Sequence, residues 1–200
     1  MILMSFIPVN AKENVRDLIN KHKLNIIIVS ERKTKRGDFR VYSNGFKKIT
    51  INQDSNKFRF LITLLHEISH QLVYQKFGNN IKPHGIEWKK KFKEISEPFL
   101  FETIFPLSIL DAFKTYLKNP KSSTDLDKEL TISLTKFDTL EDYFFIDQLE
   151  MGQLFMHRRK EIFKKISKKR KRYVCEKISN GKLYLFQPNT LILDYKNEKR

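Results

Sequence analysis

The chain has 200 residues, of which 39 are Lys or Arg and 23 are Asp or Glu, giving a formal net charge of +16. With 40% hydrophobic residues, this length allows one hydrophobic core and a small second one, which excludes a wholly disordered chain. No apolar run reaches the roughly 18–20 residues that a membrane-crossing helix needs, so we expect a cytoplasmic protein without membrane contact. The single cysteine, Cys175, excludes an internal disulfide and a metal site built from several cysteines.

Helical and strand patterns alternate through the first half of the chain. Asn10 is a suitable N-cap for a first helix over about residues 11–22, and the run LNIIIVS predicts a buried strand. Asn44-Gly45 predicts a hairpin turn, so these strands would form a small antiparallel sheet. The segment NKFRFLITLLHEISHQLVYQKFG predicts a long helix that ends at Gly78. A third helix is expected around Ile86 to Glu97.

The second half of the chain has two approximate domain boundaries. LSILDAFKTYLKN predicts a short helix, and Pro120 followed by KSSTD indicates a turn or linker. Beyond it, short runs rich in β-branched and aromatic residues predict a small antiparallel sheet or barrel, with Asn180-Gly181 as a hairpin turn. The predicted organisation is a first domain over residues 1–118, an acidic linker over 119–142 and a basic, β-rich unit over 143–200.

The long helix carries three polar residues that an apolar helix has no structural need for. His66 and His70 are four residues apart in the run HEISH, so their imidazoles point to the same side of the helix. Zinc accepts two histidines in this arrangement, and Glu67 would lie beside the metal, where it could take a proton from water. The pattern therefore predicts a catalytic metal site.

A catalytic zinc usually takes three protein ligands, and His84 in KPHGIEW is the best third candidate. Gly85 allows a tight turn after it, and Trp88 and Phe92 would anchor the following helix against the motif helix. Glu87 and Glu94 are alternative third ligands. We expect one zinc per chain, although imidazole ligands also suit manganese or cobalt.

HEISH followed by HGIEWK resembles the SprT-like family of zinc metalloproteases, and the similarity extends over roughly residues 10–118. The resemblance implies an α+β fold with a zincin-like helical core and a small antiparallel sheet, followed here by a small β-rich C-terminal unit. It also implies a zinc-dependent endopeptidase with a protein substrate, including proteins associated with or crosslinked to DNA. Many relatives carry a four-cysteine zinc ribbon at the C-terminus, whereas this chain has only Cys175 there.

In the mechanism implied by these residues, three neutral histidines leave the zinc its full positive charge, which lowers the pKa of water toward about 7 and polarises a peptide carbonyl. Glu67 would accept the water proton and pass it to the leaving amine. Two other functions remain open: a nucleic-acid-binding protein with a vestigial protease core, and a zinc hydrolase of non-peptide substrates.

The positive charge is concentrated near the C-terminus. Residues 158–172 hold ten basic residues in fifteen, whereas residues 124–150 hold eight acidic residues against two basic ones. A basic run of this kind is a solvated surface, a site of nucleic-acid contact or a partner for the acidic segment. We favour contact with nucleic acid, which would place the protein near the nucleoid in the cytoplasm. The predicted contacts are Arg158, Arg159, Lys164, Lys165, Lys168, Lys169, Arg170, Lys171 and Arg172.

Overall fold

The computed structural model describes residues 2–32, 34–54, 56–138, 143–157 and 161–195. The chain forms two compact units, Met1–Asp138 and Thr139–Arg200, each with its own hydrophobic core. The combination of helices and two sheets confirms the predicted α+β class. Within the described residues, no helix has the length and apolar character needed to cross a bilayer.

The described residues of the first unit form five α-helices and several short 3-10 turns. The helices are α1 (Lys12–His22), α2 (Lys57–Phe77), α3 (Ile86–Ser96), α4 (Leu107–Tyr116) and α5 (Lys128–Thr135). The positions of α1 to α3 confirm the sequence prediction. The predicted cap of α1 is wrong, because Asn10 donates its side-chain N–H to the carbonyl of Thr103 at 2.6 Å and Ala11 occupies the N-cap position.

Both ends of α2 are stabilised by short-range contacts. The side chain of Asn56 accepts hydrogen bonds from the backbone N–H groups of Phe58 and Arg59, which would otherwise lack partners in the first turn. Gly78 ends the helix as predicted, with a φ of 66° and its N–H bonded to the carbonyl of Tyr74. Most of the helix surface between these caps is buried.

Three strands form the sheet of the first unit: β1 (Ile26–Val29), β2 (Gly37–Val41) and β3 (Lys47–Asn52), in the order β1-β3-β2. β2 and β3 form the predicted antiparallel hairpin, and Gly45 at its turn has a φ of 79°. β1 lies parallel to β3, so the expectation of antiparallel pairing throughout does not hold for this strand. An apolar run specifies burial but not strand direction, which depends on the route of the chain.

The segment predicted as an acidic linker belongs largely to the first unit. Leu130 and Leu134 of α5 are fully buried in its core. Asp138 accepts hydrogen bonds from Asn56 and Arg59, each at 2.6 Å, and so connects the end of this segment to the first turn of α2. The boundary therefore lies near Asp138 rather than at residue 118.

The second unit is the predicted antiparallel sheet, now with six strands in the order β4-β9-β5-β6-β7-β8. Its core contains Phe155, Phe163, Cys175, Phe186 and Ile192. The strands are β4 (Tyr143–Phe145), β5 (Leu154–His157), β6 (Glu161–Lys169), β7 (Arg172–Lys177), β8 (Leu183–Phe186) and β9 (Leu191–Asp194).

Replacing a buried leucine of α5 should test whether the acidic segment is part of the first unit. Leu134→Ala should lower the free energy of unfolding by about 2–5 kcal/mol, because it leaves a cavity in the core. Leu126→Ala is the matched control, since Leu126 is 46% exposed and its truncation should change stability by about 0.5 kcal/mol or less. Urea unfolding measures both. Equal effects of the two substitutions would contradict the placement of α5 in the core.

Candidate metal centre

Three histidine nitrogens converge on one point beside α2. The Nε2 atoms of His66 and His70, one helical turn apart, are separated by 3.1 Å. The Nε2 atom of His84, from the loop between α2 and α3, lies 3.0 Å from that of His70 and 3.1 Å from that of His66. Among the described residues, these three histidines form the one group of potential ligands that could hold a metal ion.

This spacing fits a small tetrahedral cation. With bonds of about 2.0–2.1 Å to nitrogen, such an ion holds its ligand nitrogens about 3.3 Å apart, within a few tenths of an ångström of the observed distances. Three neutral imidazoles that meet in this way bring electron lone pairs together, and hydrogen bonds among them cannot satisfy all three nitrogens. A cation at the centre would satisfy them all.

Burial keeps the three histidines neutral. It lowers the pKa of His66 well below its usual value, an effect that the neighbouring histidines reinforce, and it lowers the pKa of His84 as well. Burial, with a smaller contribution from His84, lowers the pKa of His70 to about 3. Because a metal binds the unprotonated imidazole, the three side chains are ready to coordinate at neutral pH.

The two alternative third ligands lie outside this cluster. Glu94 forms an ion pair with Lys91 at 2.6 Å on α3, and Glu87 is not part of the group of converging ligand atoms. His84 reaches the cluster because its backbone adopts a left-handed conformation with a φ of 58°, which is uncommon for a residue other than glycine. Gly85 is required next to it, since a Cβ atom there would lie 2.8 Å from the carbonyl oxygen of Lys82.

Glu67 is buried on the side of α2 that faces the sheet. Its side chain is 7% exposed, and burial, helped by the negative charge of Asp38, raises the pKa of its carboxyl to about 8. Arg32, Lys35 and the backbone N–H of Phe39 act in the opposite direction. A cation held by the neighbouring histidines would also lower this pKa by favouring the carboxylate.

Gly37, at the start of β2, provides the space that Glu67 occupies. A Cβ atom at this position would lie 2.6 Å from both Cγ and Oε1 of Glu67. Gly37 has no signal in the sequence, because it lies thirty positions before Glu67 and no local pattern connects the two. Only the packing of β2 against α2 brings them together.

The basic run divides into exposed and buried residues. Six of the predicted nucleic-acid contacts are exposed on the β6–β7 hairpin, whereas Arg158 and Arg159 lie outside the described residues. The exposed residues are Lys164, Lys168, Lys169, Arg170, Lys171 and Arg172.

Lys165 differs from the expectation of a surface contact. It is 2% exposed, and its ammonium donates hydrogen bonds to the carbonyls of Ile146 at 2.8 Å and Leu149 at 2.5 Å. The same group lies 3.8 Å from the centre of the Tyr173 ring. Lys165 shares the core-facing side of β6 with Phe163, so strand alternation removes it from the surface.

Several acidic residues of the 124–150 segment have basic partners in their own unit. Asp125 lies 3.4 Å from Arg36, Asp127 lies 3.2 Å from Lys121, and Asp138 pairs with Arg59. These pairs contribute to the first unit, and they weaken the interpretation of the acidic segment as the partner of the basic run.

The fold and the site together define an α+β protein with a helix-borne, three-histidine centre. Residues 11–109, which contain α2, His84 and α3, match the SprT-like family and belong to it, confirming the resemblance seen in the sequence. A stretch of 30 residues is 57% identical to Protein SprT of Glaesserella parasuis serovar 5, covering 15% of this chain and 19% of that protein. No solved structure matches the chain.

Metal analysis of substituted proteins should test the third ligand. His84→Ala should lower zinc occupancy strongly relative to one zinc per chain in the unaltered protein, because two histidines alone form an incomplete site. Glu87→Ala and Glu94→Ala are the controls and should retain the metal. Elemental analysis after dialysis measures all four proteins. Full occupancy in His84→Ala, with loss of zinc in either glutamate variant, would show that a different third ligand operates.

Proposed function

We propose that the first unit is a zinc-dependent endopeptidase, with His66, His70 and His84 as the metal ligands and Glu67 as the general base. The observation that carries this proposal is the convergence of three neutral imidazoles within 3.1 Å of one another on the helix that bears a buried carboxyl group. Zinc, when bound, would supply Lewis-acid activation of water and of the peptide carbonyl.

Glu67 has the environment expected of a group that both takes and returns a proton. A pKa near neutrality suits this task, and burial raises that of Glu67 to about 8 while nearby positive groups and a bound cation act to lower it. In the proposed reaction, Glu67 accepts the proton of the attacking water and later donates it to the leaving amine. Gly37 allows the carboxyl group to remain in place.

The free edge of β2 supports a peptide as the substrate. Arg36 and Tyr42, which flank this strand, form backbone hydrogen bonds with the β3 side of the hairpin, so the backbone groups of Gly37, Phe39 and Val41 point away from β3. The N–H of Phe39 already bonds to the carboxyl group of Glu67, so an added strand would use the other backbone groups of this edge. Within the described residues, no other strand pairs with this edge. An extended peptide could add to it as a further strand, a mode of recognition that a non-peptide substrate lacks.

Glu67→Gln should retain zinc and the fold but lose hydrolysis, because an amide cannot act as a base at neutral pH. General-base catalysis contributes about 10²- to 10⁴-fold, so cleavage of casein should fall by at least about 100-fold. The matched control is Glu94→Gln on α3, where the carboxylate is exposed and paired with Lys91. Casein cleavage, zinc content and thermal unfolding should be measured on the same preparations.

Gly37→Ala provides an independent test of the same role, because the three atoms nearest to the added methyl group all belong to the Glu67 side chain, which would be displaced. It should reduce casein cleavage while leaving the zinc content unaltered. If Glu67→Gln retains most of its activity, the assignment of Glu67 is wrong. If the unaltered protein binds zinc and DNA but cleaves no protein, the vestigial-core alternative is correct.

We further propose that the exposed cations of the β6–β7 hairpin bind DNA and bring the peptidase to DNA-associated proteins. Five consecutive basic residues, Lys168 to Arg172, lie at the tip of this hairpin. The cross-strand pairs of β5 with β6 and of β7 with β8 do not include these residues, so the tip is a two-stranded ribbon. Such a ribbon can approach phosphates on either side of a DNA groove.

DNA affinity should depend strongly on salt. If five cations contact phosphates, the slope of log affinity against log salt concentration should be about −3.5 to −4.5, because each contact releases condensed counterions. Replacing the five tip residues by Gln should weaken binding and flatten the slope, with zinc content and melting temperature nearly unaltered. Fluorescence anisotropy of a labelled duplex measures the binding.

The control removes the same charge from exposed lysines of the first unit, where we expect a small effect on the slope. These lysines are Lys21, Lys76, Lys90, Lys93 and Lys118. Equal loss of affinity in the two variants would mean that net charge rather than the hairpin governs binding. A marked fall in melting temperature with unaltered DNA affinity would mean that the hairpin cations are structural.

A further inference from the structure

The side chain of Trp88, on α3, contacts all three histidines of the metal centre. Its ring centroid lies 4.6 Å from that of His66 and 4.7 Å from that of His84. It also stacks on His70, with a centroid distance of 5.3 Å and an interplanar angle of 29°. The chain contains no other tryptophan. One rigid side chain therefore touches ligands that come from α2 and from the loop after it.

Trp88 is itself held by an aromatic row within the first unit. It is 1% exposed, and Phe92, one turn further along α3, stacks on it at 5.0 Å with an interplanar angle of 17°. Phe92 in turn contacts Phe113 and Tyr116 of α4 at 6.1 and 6.3 Å. Phe92 also contacts the ring of His66 at 5.8 Å, so the indole and its neighbour pack together against the metal centre. These aromatic contacts hold the indole in one position.

The histidines depend on this packing because few other contacts fix the orientation of their imidazole rings. Among the described residues, the hydrogen-bond contacts of their imidazole rings are those between their own Nε2 atoms. Metal-binding histidines are usually oriented by a hydrogen bond from the second ring nitrogen to a carboxylate or a carbonyl. Here the ring faces contact aromatic side chains, so packing has to fix their directions.

His84 depends on this packing most. Its left-handed backbone is uncommon for a residue with a side chain, and the converging lone pairs would separate the rings before a metal binds. Trp88 lies four residues after His84, and its ring packs edge-to-face against the imidazole of His84. The indole N–H has no hydrogen-bond partner among the described residues, which costs stability that a phenylalanine would avoid. The indole face is larger than that of a phenylalanine ring, and its contacts with the three imidazole rings offset this cost.

We propose that Trp88 is the positioning residue of the metal centre: its indole face holds the three imidazoles in their converged arrangement before a metal arrives, and so raises metal affinity. This inference rests on the metal centre of the proposed function, but it does not require that the protein be a peptidase. Fixing ligands in the bound geometry increases affinity by reducing the ordering that binding requires.

Zinc affinities of three variants should separate positioning from general core packing. Trp88→Leu keeps an apolar side chain without an aromatic face and should weaken zinc binding by about 10- to 100-fold, the range typical of residues that orient metal ligands. Trp88→Phe keeps a ring at the centre and should lose less. Phe113→Leu is the matched control, because Phe113 is buried in the same aromatic row but contacts Phe92 and Phe105 rather than a histidine.

Competition with a chromophoric chelator measures the affinities, and thermal unfolding measures the cost to the fold. We expect Phe113→Leu to lower the melting temperature about as much as Trp88→Leu while leaving zinc affinity unaltered. Equal zinc affinities in Trp88→Leu and Phe113→Leu would overturn the proposal. A loss in Trp88→Phe as large as that in Trp88→Leu would also overturn it, because it would mean that an aromatic face does not position the histidines. If the unaltered protein binds no zinc, the proposed function fails instead.

Fluorescence of the unaltered protein provides a test that does not depend on the stability of a variant. Since Trp88 is the single tryptophan, its emission reports on this site alone. Cobalt(II) should quench that emission with an endpoint of one ion per chain, and His70→Ala should abolish the quenching. Zinc should leave the emission wavelength nearly unaltered if the site is preformed. A large wavelength shift on adding zinc, or no quenching by cobalt when it fills the site, would overturn the proposal.

Discussion

Three histidine nitrogens lie within 3.1 Å of one another, and several elements of the first unit are needed to hold them there. Neutral imidazoles do not gather in this way without a structure that holds them. Two of the rings are aligned by the pitch of α2, and the third requires an uncommon backbone conformation at His84 followed by a glycine. Burial by α3 then keeps all three unprotonated.

The same helix connects the centre to the remaining elements. Its first turn is held by Asn56 and Arg59, whose side chains bind Asp138 beyond α5. Its middle carries Glu67 against Gly37 of β2, and the opposite side of the centre packs on Trp88. The segment after α5, strand β2 and helix α3 therefore all contribute to the position of α2. The region of family similarity ends at residue 109, before α5, although α5 completes the core.

The second unit shows how one strand can carry charge with two different roles. Lys164 and Lys168 of β6 are exposed to solvent, whereas Lys165 between them is buried, bonded to two carbonyls and stacked over Tyr173. A buried ammonium needs such partners because losing its hydration is costly. The basic run thus supplies both a structural contact and an exposed hairpin, and only the exposed part is available to phosphates.

Local spacing, capping and turn chemistry suffice to predict α1 to α4, the hairpin at Asn44-Gly45, the β-rich second unit and the placement of His66, Glu67 and His70 on one helix. The sequence leaves His84 as the best of three candidates for the third ligand, and it predicts a linker where α5 lies. The parallel direction of β1, the inclusion of α5 in the first core and the burial of Lys165 become evident in the folded chain alone. Folding also brings Gly37 against Glu67 and places the Trp88 ring in contact with all three histidines. These features depend on contacts between residues far apart in the chain, or on which face of an element meets the core, and periodicity alone does not specify either.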